Sequence, residues 1–232
     1  MYARFFKRLM DFVLSLVALI VLSPVLLCLT LIGAIAMGGN PFFLQPRPGK
    51  KDASGNEHIF CLIKFRTMSN ATDADGNLLP DAVRLGAYGK FLRSTSLDEL
   101  PSLLNILCGD LSIVGPRPQL VRDMTFMTAE QRRRHDVRPG LTGLAQVNGR
   151  NNITWEQKFE YDLQYIDSGI TFLGDVHIIL QTVGKVLKRS DTVREGTASD
   201  MDFGDWLMQE GKVDRSVYDA KQEEARILLN TR

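Results

Sequence analysis

The stretch FVLSLVALIVLSPVLLCLTLIGAIAM, Phe12 to Met37, decides the architecture of this chain. It holds no charge and is dominated by Leu, Val, Ile and Ala, and a bilayer core needs about 20 apolar helical residues. A secretory leader fits less well, because its apolar core spans about 7–15 residues before a small-residue cleavage site. Here Gly38, Gly39, Asn40 and Pro41 form a helix stop instead. A single spanning helix satisfies the length criterion, but two features argue for another shape. Arg4, Lys7 and Arg8 precede the run, and Arg47, Lys50 and Lys51 follow it. A spanning helix would strand one of these groups on the wrong side of the membrane. Ser23-Pro24 also interrupts the run: Pro24 lacks a backbone donor, and Ser23 can bond a carbonyl so freed. The sequence therefore predicts a re-entrant helix-break-helix over residues 1–39, entering and leaving by one face.

Working outward, residues 40–195 read as one catalytic domain with interfacial helices and residues 196–232 as a polar tail. The whole is α+β, mostly helical with a small β-hairpin. The hairpin is predicted from two apolar runs, Phe42 to Gln45 and His58 to Phe65, joined by a Pro- and Gly-rich turn. Asn70 to Asp81 faintly resembles a calcium loop but lacks its final Glu, and reads as a solvated loop. Thr154-Trp155-Glu156-Gln157 has the form of a capping box opening a helix through Tyr165. Val176 to Lys188 is amphipathic with a basic end, fitting either a membrane-surface helix or a core-facing one. With 28 basic and 27 acidic residues the net charge is +1, so no global field favours nucleic acid. Cys28, Cys61 and Cys108 are scattered and odd in number, which argues against a disulfide framework.

The chemistry concentrates in Arg93-Ser94-Thr95-Ser96-Leu97-Asp98-Glu99-Leu100-Pro101. Pro101 fits only the first turn of a helix, so the helix starts near Asp98, and taken alone the pair reads first as a cap and dipole partner. A functional reading gains from the basic residues around the pair: Lys64-Phe65-Arg66, Arg93, Gly115-Pro116-Arg117-Pro118 and Arg138-Pro139-Gly140. Arg suits bidentate phosphate contact, and Pro and Gly fix its backbone, so these together suggest a diphosphate cradle. Gln146-Val147-Asn148-Gly149-Arg150-Asn151-Asn152 gathers amides suited to a sugar or base. Zinc-helix spacing, a P-loop, a dinucleotide fingerprint and a Gly-x-Ser-x-Gly elbow do not occur.

Four ordered motifs, Lys64 to Met68, Ser96 to Leu100, Val114 to Pro118 and Arg138 to Gly143, closely resemble the bacterial monotopic phosphoglycosyl transferases. Residues 145–151 and the small size look most like members acting on N,N'-diacetylbacillosamine in protein glycosylation. The resemblance implies a UDP-sugar donor, undecaprenyl phosphate as acceptor, and release of UMP. It also implies that Asp98 is the nucleophile and that Glu99, with Asp98, binds Mg²⁺. Lys64, Arg66, Arg93, Arg117 and Arg138, with Gln146, Asn148, Arg150 and Asp175, become expected substrate contacts. It further implies a site at the cytoplasmic face of a bacterial inner membrane, in contact with lipid and with later glycosyltransferases. Another UDP-hexose or UDP-N-acetylhexosamine donor, or a non-catalytic scaffold, are the alternatives.

Overall fold

The computed structural model describes residues 1–149, 152–188 and 201–230. A π-helical turn, Tyr2–Phe6, leads into α1 (Lys7–Met37), and β1 (Phe42–Lys51) and β2 (Glu57–Phe65) follow as the expected antiparallel hairpin. Then come α2 (Asp81–Arg84), α3 (Ala87–Thr95), a 3₁₀ turn over Leu97–Ser102, α4 (Leu103–Cys108), β3 (Ser112–Val114) and α5 (Val121–Met124). A second 3₁₀ turn, Gln131–Asp136, precedes β4 (Gly140–Thr142), α6 (Leu144–Val147), α7 (Trp155–Asp167), α8 (Phe172–Lys188), α9 (Phe203–Gln209) and α10 (Arg215–Asn230).

The long apolar helix is continuous from Lys7 to Met37 with Pro24 inside it, so the break expected at Ser23-Pro24 does not interrupt it. The reason is local. Proline cannot donate to the carbonyl four residues back, that of Ile20, and Ser23 Oγ donates to that oxygen instead at 2.7 Å. Both halves of α1 dock on the same body. At the start, Arg8 donates to the carbonyls of Ile106 and Leu107 at the end of α4, and buried Asp11 accepts from Ser112 Oγ and the Ile113 amide. In the second half, Tyr88 donates to the Leu29 carbonyl at 2.8 Å, and Gly33 leaves room for the Tyr88 ring. Ile20, Val21, Leu27, Leu31 and Ile35 remain outside, an apolar surface too large for water to accommodate readily.

The core joins hairpin, acid-bearing turn and α1. Phe60 and Leu62 pack with Leu103, Ile106 and Leu111, and Ala18, Leu19 and Leu22 of α1 cover them. The parallel pair β3–β4 sets two Pro-framed arginine motifs back to back: Gly115 donates to the Thr142 carbonyl and Gly140 to that of Pro116. A Cβ on Gly140 would lie 2.1 Å from the Gly115 nitrogen, which explains the glycine in each motif. Within the segment read as a polar tail, α9 and α10 fold onto the body instead, with Phe203 buried against Trp155 and Phe159.

Candidate active site

The acid pair lies on the 3₁₀ turn Leu97–Ser102, not at an α-helix start, and the residue at the cap position of that turn is Ser96, not Asp98. The turn is entered through Ser96, whose φ of 56° is the only positive value outside glycine among the described residues. Such conformations cluster at functional sites because the surroundings must enforce them. The turn that follows is fixed by its seam with the hairpin. Ser102 Oγ donates to the Ile63 carbonyl at 2.8 Å, and Asn105 both accepts from the Ile63 amide and donates to the Cys61 carbonyl.

That seam brings the end of β2 against the turn. Lys64 Nζ donates to Glu99 Oε1 at 2.8 Å, and Arg117 Nη2 donates to the same oxygen at 2.7 Å. Burial lowers the pKa of Lys64, and Glu99 opposes the shift. Asp98 and Glu99 line a cleft of about 1030 Å³, which Lys64, Arg66, Arg93, Arg117 and Gln146 also line. Five expected substrate contacts thus meet the acid pair in one cavity.

The remaining expected residues divide. Arg138 donates to the Gly109 carbonyl and Asn148 to that of Leu144, and neither lines this cleft. Asp175 does not line it either. It is buried and accepts from Lys7, Tyr2 and Tyr165, tying the amino terminus to α8. A carboxylate surrounded by three donors is used up structurally, which its sequence position could not reveal. Arg150 lies outside the described residues.

Sequence reasoning missed Arg47, counted there as a membrane-flanking charge. It is enclosed in the cleft wall, donating to the Pro118 carbonyl and to Gln45 Oε1. Burial, and then the charge of Arg117, lower its pKa to about 10, which leaves it cationic at neutral pH. The signal existed in Pro46-Arg47-Pro48, the same proline frame that marked Arg117. Also missed were Asp123, Asp162 and Asp202, acidic members of the cleft wall whose pKa values burial raises, that of Asp202 to about 6.

Among the described residues, no cluster of three or more His, Cys, Asp or Glu side chains could cage a metal. Two adjacent carboxylates beside a basic cradle fit instead an ion that takes one or two carboxylates and completes its shell with water and substrate phosphate. The arrangement suits an anionic, diphosphate-bearing ligand: cations on four separate segments, Arg47, Lys64 with Arg66, Arg93 and Arg117, converge where two carboxylates are held.

Comparison with known proteins agrees with this chemistry. Residues 2–189 match the bacterial sugar transferase family. The chain is 48% identical over 181 residues to the uncharacterized sugar transferase EpsL of Bacillus subtilis, covering 78% of this chain and 87% of that one. It is 38% identical over 190 residues to a UDP-glucose:undecaprenyl-phosphate glucose-1-phosphate transferase of Klebsiella pneumoniae, and 36% identical over 196 residues to the galactosyl transferase CpsE of Streptococcus agalactiae. Each match takes in 78% of this chain, but only 40% and 42% of those longer proteins. The chain belongs to the bacterial sugar transferase family and is a transferase by that membership.

Proposed function

We propose that this transferase is a phosphoglycosyl transferase, moving a sugar 1-phosphate from a UDP-sugar to undecaprenyl phosphate with release of UMP. The observation that carries the reading is Glu99 held by Lys64 and Arg117 beside Asp98 in a cleft that adds Arg47, Arg66 and Arg93. A diphosphate brings its negative charge to that cradle, where low dielectric strengthens each contact.

The Asp98 carboxylate attacks the phosphorus that bears the sugar. The bond to the bridging oxygen breaks, and UMP leaves with its electron pair. The phosphosugar is then an acyl phosphate on Asp98. A phosphate oxygen of undecaprenyl phosphate attacks the same phosphorus, the bond to Asp98 breaks, and the free carboxylate returns with undecaprenyl diphosphosugar as product. Dividing the transfer into two displacements spares the site a direct encounter of two anionic substrates. Glu99, with Asp98, would hold Mg²⁺, which supplies neutralisation of diphosphate charge when bound. Lys64 and Arg117 keep Glu99 oriented, and Arg47 screens the phosphates from the like charge of the acids.

The setting proposed is the cytoplasmic face of a bacterial inner membrane, with α1 re-entrant. The docking of both halves of α1 on one body supports this, as does its outward apolar surface. Lipid then surrounds the helix, and later glycosyltransferases draw on the product. For the sugar, residues 145–151 support UDP-N,N'-diacetylbacillosamine, while the relatives named for glucose and galactose support a UDP-hexose. UMP release measured with both donor types, in liposomes containing undecaprenyl phosphate and Mg²⁺, separates the two. A scaffold without catalysis would release none from either.

A further inference from the structure

A second stretch of the cleft wall has chemistry unlike the basic cradle. It is built from α5, α6, α7 and the chain entering α9, and carries Gln146, Asp162, Met201 and Asp202. Gln146 is only 9% exposed, yet neither its amide nitrogen nor its amide oxygen has a partner. Asp162 is 2% exposed; its Oδ2 accepts from Arg134, while Oδ1 has no partner. Buried polar groups are normally paired, so an unpaired amide and an unpaired carboxylate oxygen in one wall mark a place where a polar ligand completes the bonding.

Residues 201–203 are fixed into this wall by three contacts. Trp155 Nε1 donates to the Met201 carbonyl at 3.2 Å, Arg122 pairs with Asp202 at 2.5 Å, and the Phe203 amide donates to Asp123 Oδ1 at 2.9 Å. They also lie beyond residue 189, where the match to the family ends. A wall element outside the shared region is where members of one family can differ in what they accept.

We propose that this stretch is the subsite for the donor's sugar, with Met201 and Asp202 its specificity-determining part. The proposal rests on the UDP-sugar reading above. Carboxylates accept from ring hydroxyls and from the N–H of an acetamido group, and the Gln146 amide can both donate and accept. A uracil fits less well, because it presents two carbonyls that need donors. The nearby aromatic also offers it no open face: the Trp155 ring is packed with those of Phe159 and Phe203. The diphosphate is claimed by Lys64, Arg47 and Arg117, which leaves the sugar for the acidic and amide wall.

The test uses the full chain in liposomes with undecaprenyl phosphate and Mg²⁺, reading UMP release from UDP-glucose, UDP-galactose, UDP-N-acetylglucosamine and UDP-N,N'-diacetylbacillosamine. Asp202→Asn, Met201→Ala and Gln146→Ala are compared with wild type. Lys212→Ala, which removes an exposed pair between the α9–α10 connection and Glu156 of α7, serves as the control for tail docking. Removing a hydrogen bond to a sugar substituent is expected to change the ratio of kcat/KM between donors by about tenfold, or to admit a donor that wild type refuses. Inhibition by UMP stays unchanged, and Lys212→Ala behaves as wild type. Unaltered donor ratios overturn the proposal. So does a uniform loss across donors with weakened UMP inhibition, which would assign the wall to the nucleoside. If wild type releases UMP from no donor, the donor reading itself falls and takes the subsite with it.

Discussion

Glu99 gathers two cations on one carboxylate oxygen, and Glu57 shows the same economy away from the cleft. Burial pushes the Glu57 carboxyl up, but hydrogen bonds with His135 and Arg132 outweigh it and hold the group at about 2. His135 is itself buried, and burial holds it neutral down to about 4, against the pull of Glu57. The sign of the pH effect follows. Between pH 6.5 and 4 the unfolded chain binds a proton at His135 that the folded chain refuses, so stability falls as pH falls through that window. Glu57 extends the loss from about 4.5 towards 2, because its folded carboxylate resists protonation. The thermal midpoint is expected to drop on acidification from pH 7 to 4, on the order of 3 kcal/mol from His135, and His135→Gln is expected to flatten the pH 6.5 to 4 segment. Legibility at this scale followed side-chain direction. The types Lys64, Arg66, Arg93, Arg117 and Gln146 were readable and converge. Arg138, Asn148 and Asp175 have equally suitable types but turn to backbone carbonyls or to Lys7, a choice made by tertiary packing.

Among the elements, those with strong local signals were legible. The hairpin pairs Phe42 with Phe65, as its two apolar runs suggest, and the Thr154 capping box is present with both of its bonds. The parallel pair β3–β4 was not legible, since three residues per strand give no period to read and the partners are far apart in sequence. For α1, length and the role of Ser23 were readable, but the helix runs unbroken through Pro24 where a break at Ser23-Pro24 was expected. The charge argument needed revision: Lys7 pairs with Asp175, Arg8 caps α4 and Arg47 enters the cleft wall, so these cations serve protein contacts as well as orientation. A helix of 31 residues is about 46 Å long, enough to cross a bilayer if straight. Docking at both ends favours re-entry. Cysteines introduced at Arg4 and Lys50, in a background lacking the three native ones, are expected to label from the same side of intact vesicles. Labelling from opposite sides would mean a spanning helix.

At the scale of the whole molecule, the carboxyl-terminal helices are part of the catalytic body. Their anchor is Phe203, stacked on Trp206 and buried against Trp155 and Phe159, with Met127 in the same cluster. The sequence did not show this, because the segment is polar on average and its aromatics pack against distant partners, Phe203 on Trp155 and Tyr218 on Phe126. Phe203→Ala is expected to destabilise the protein by about 3 kcal/mol, seen as a lower unfolding midpoint in detergent. An unchanged midpoint would mean that the docked helices contribute no stability. The N-terminal helix, the hairpin and the docked tail meet around one acid pair, and the proposed reaction turns on the carboxylate of Asp98. The most direct measurement is intact mass after brief incubation with UDP-sugar and Mg²⁺ in the absence of undecaprenyl phosphate, followed by mapping of the modified peptide. A phosphosugar adduct on Asp98, lost in Asp98→Asn and discharged when undecaprenyl phosphate is added, is the expected result. An adduct on another residue, or wild-type UMP release by Asp98→Asn, would contradict the mechanism.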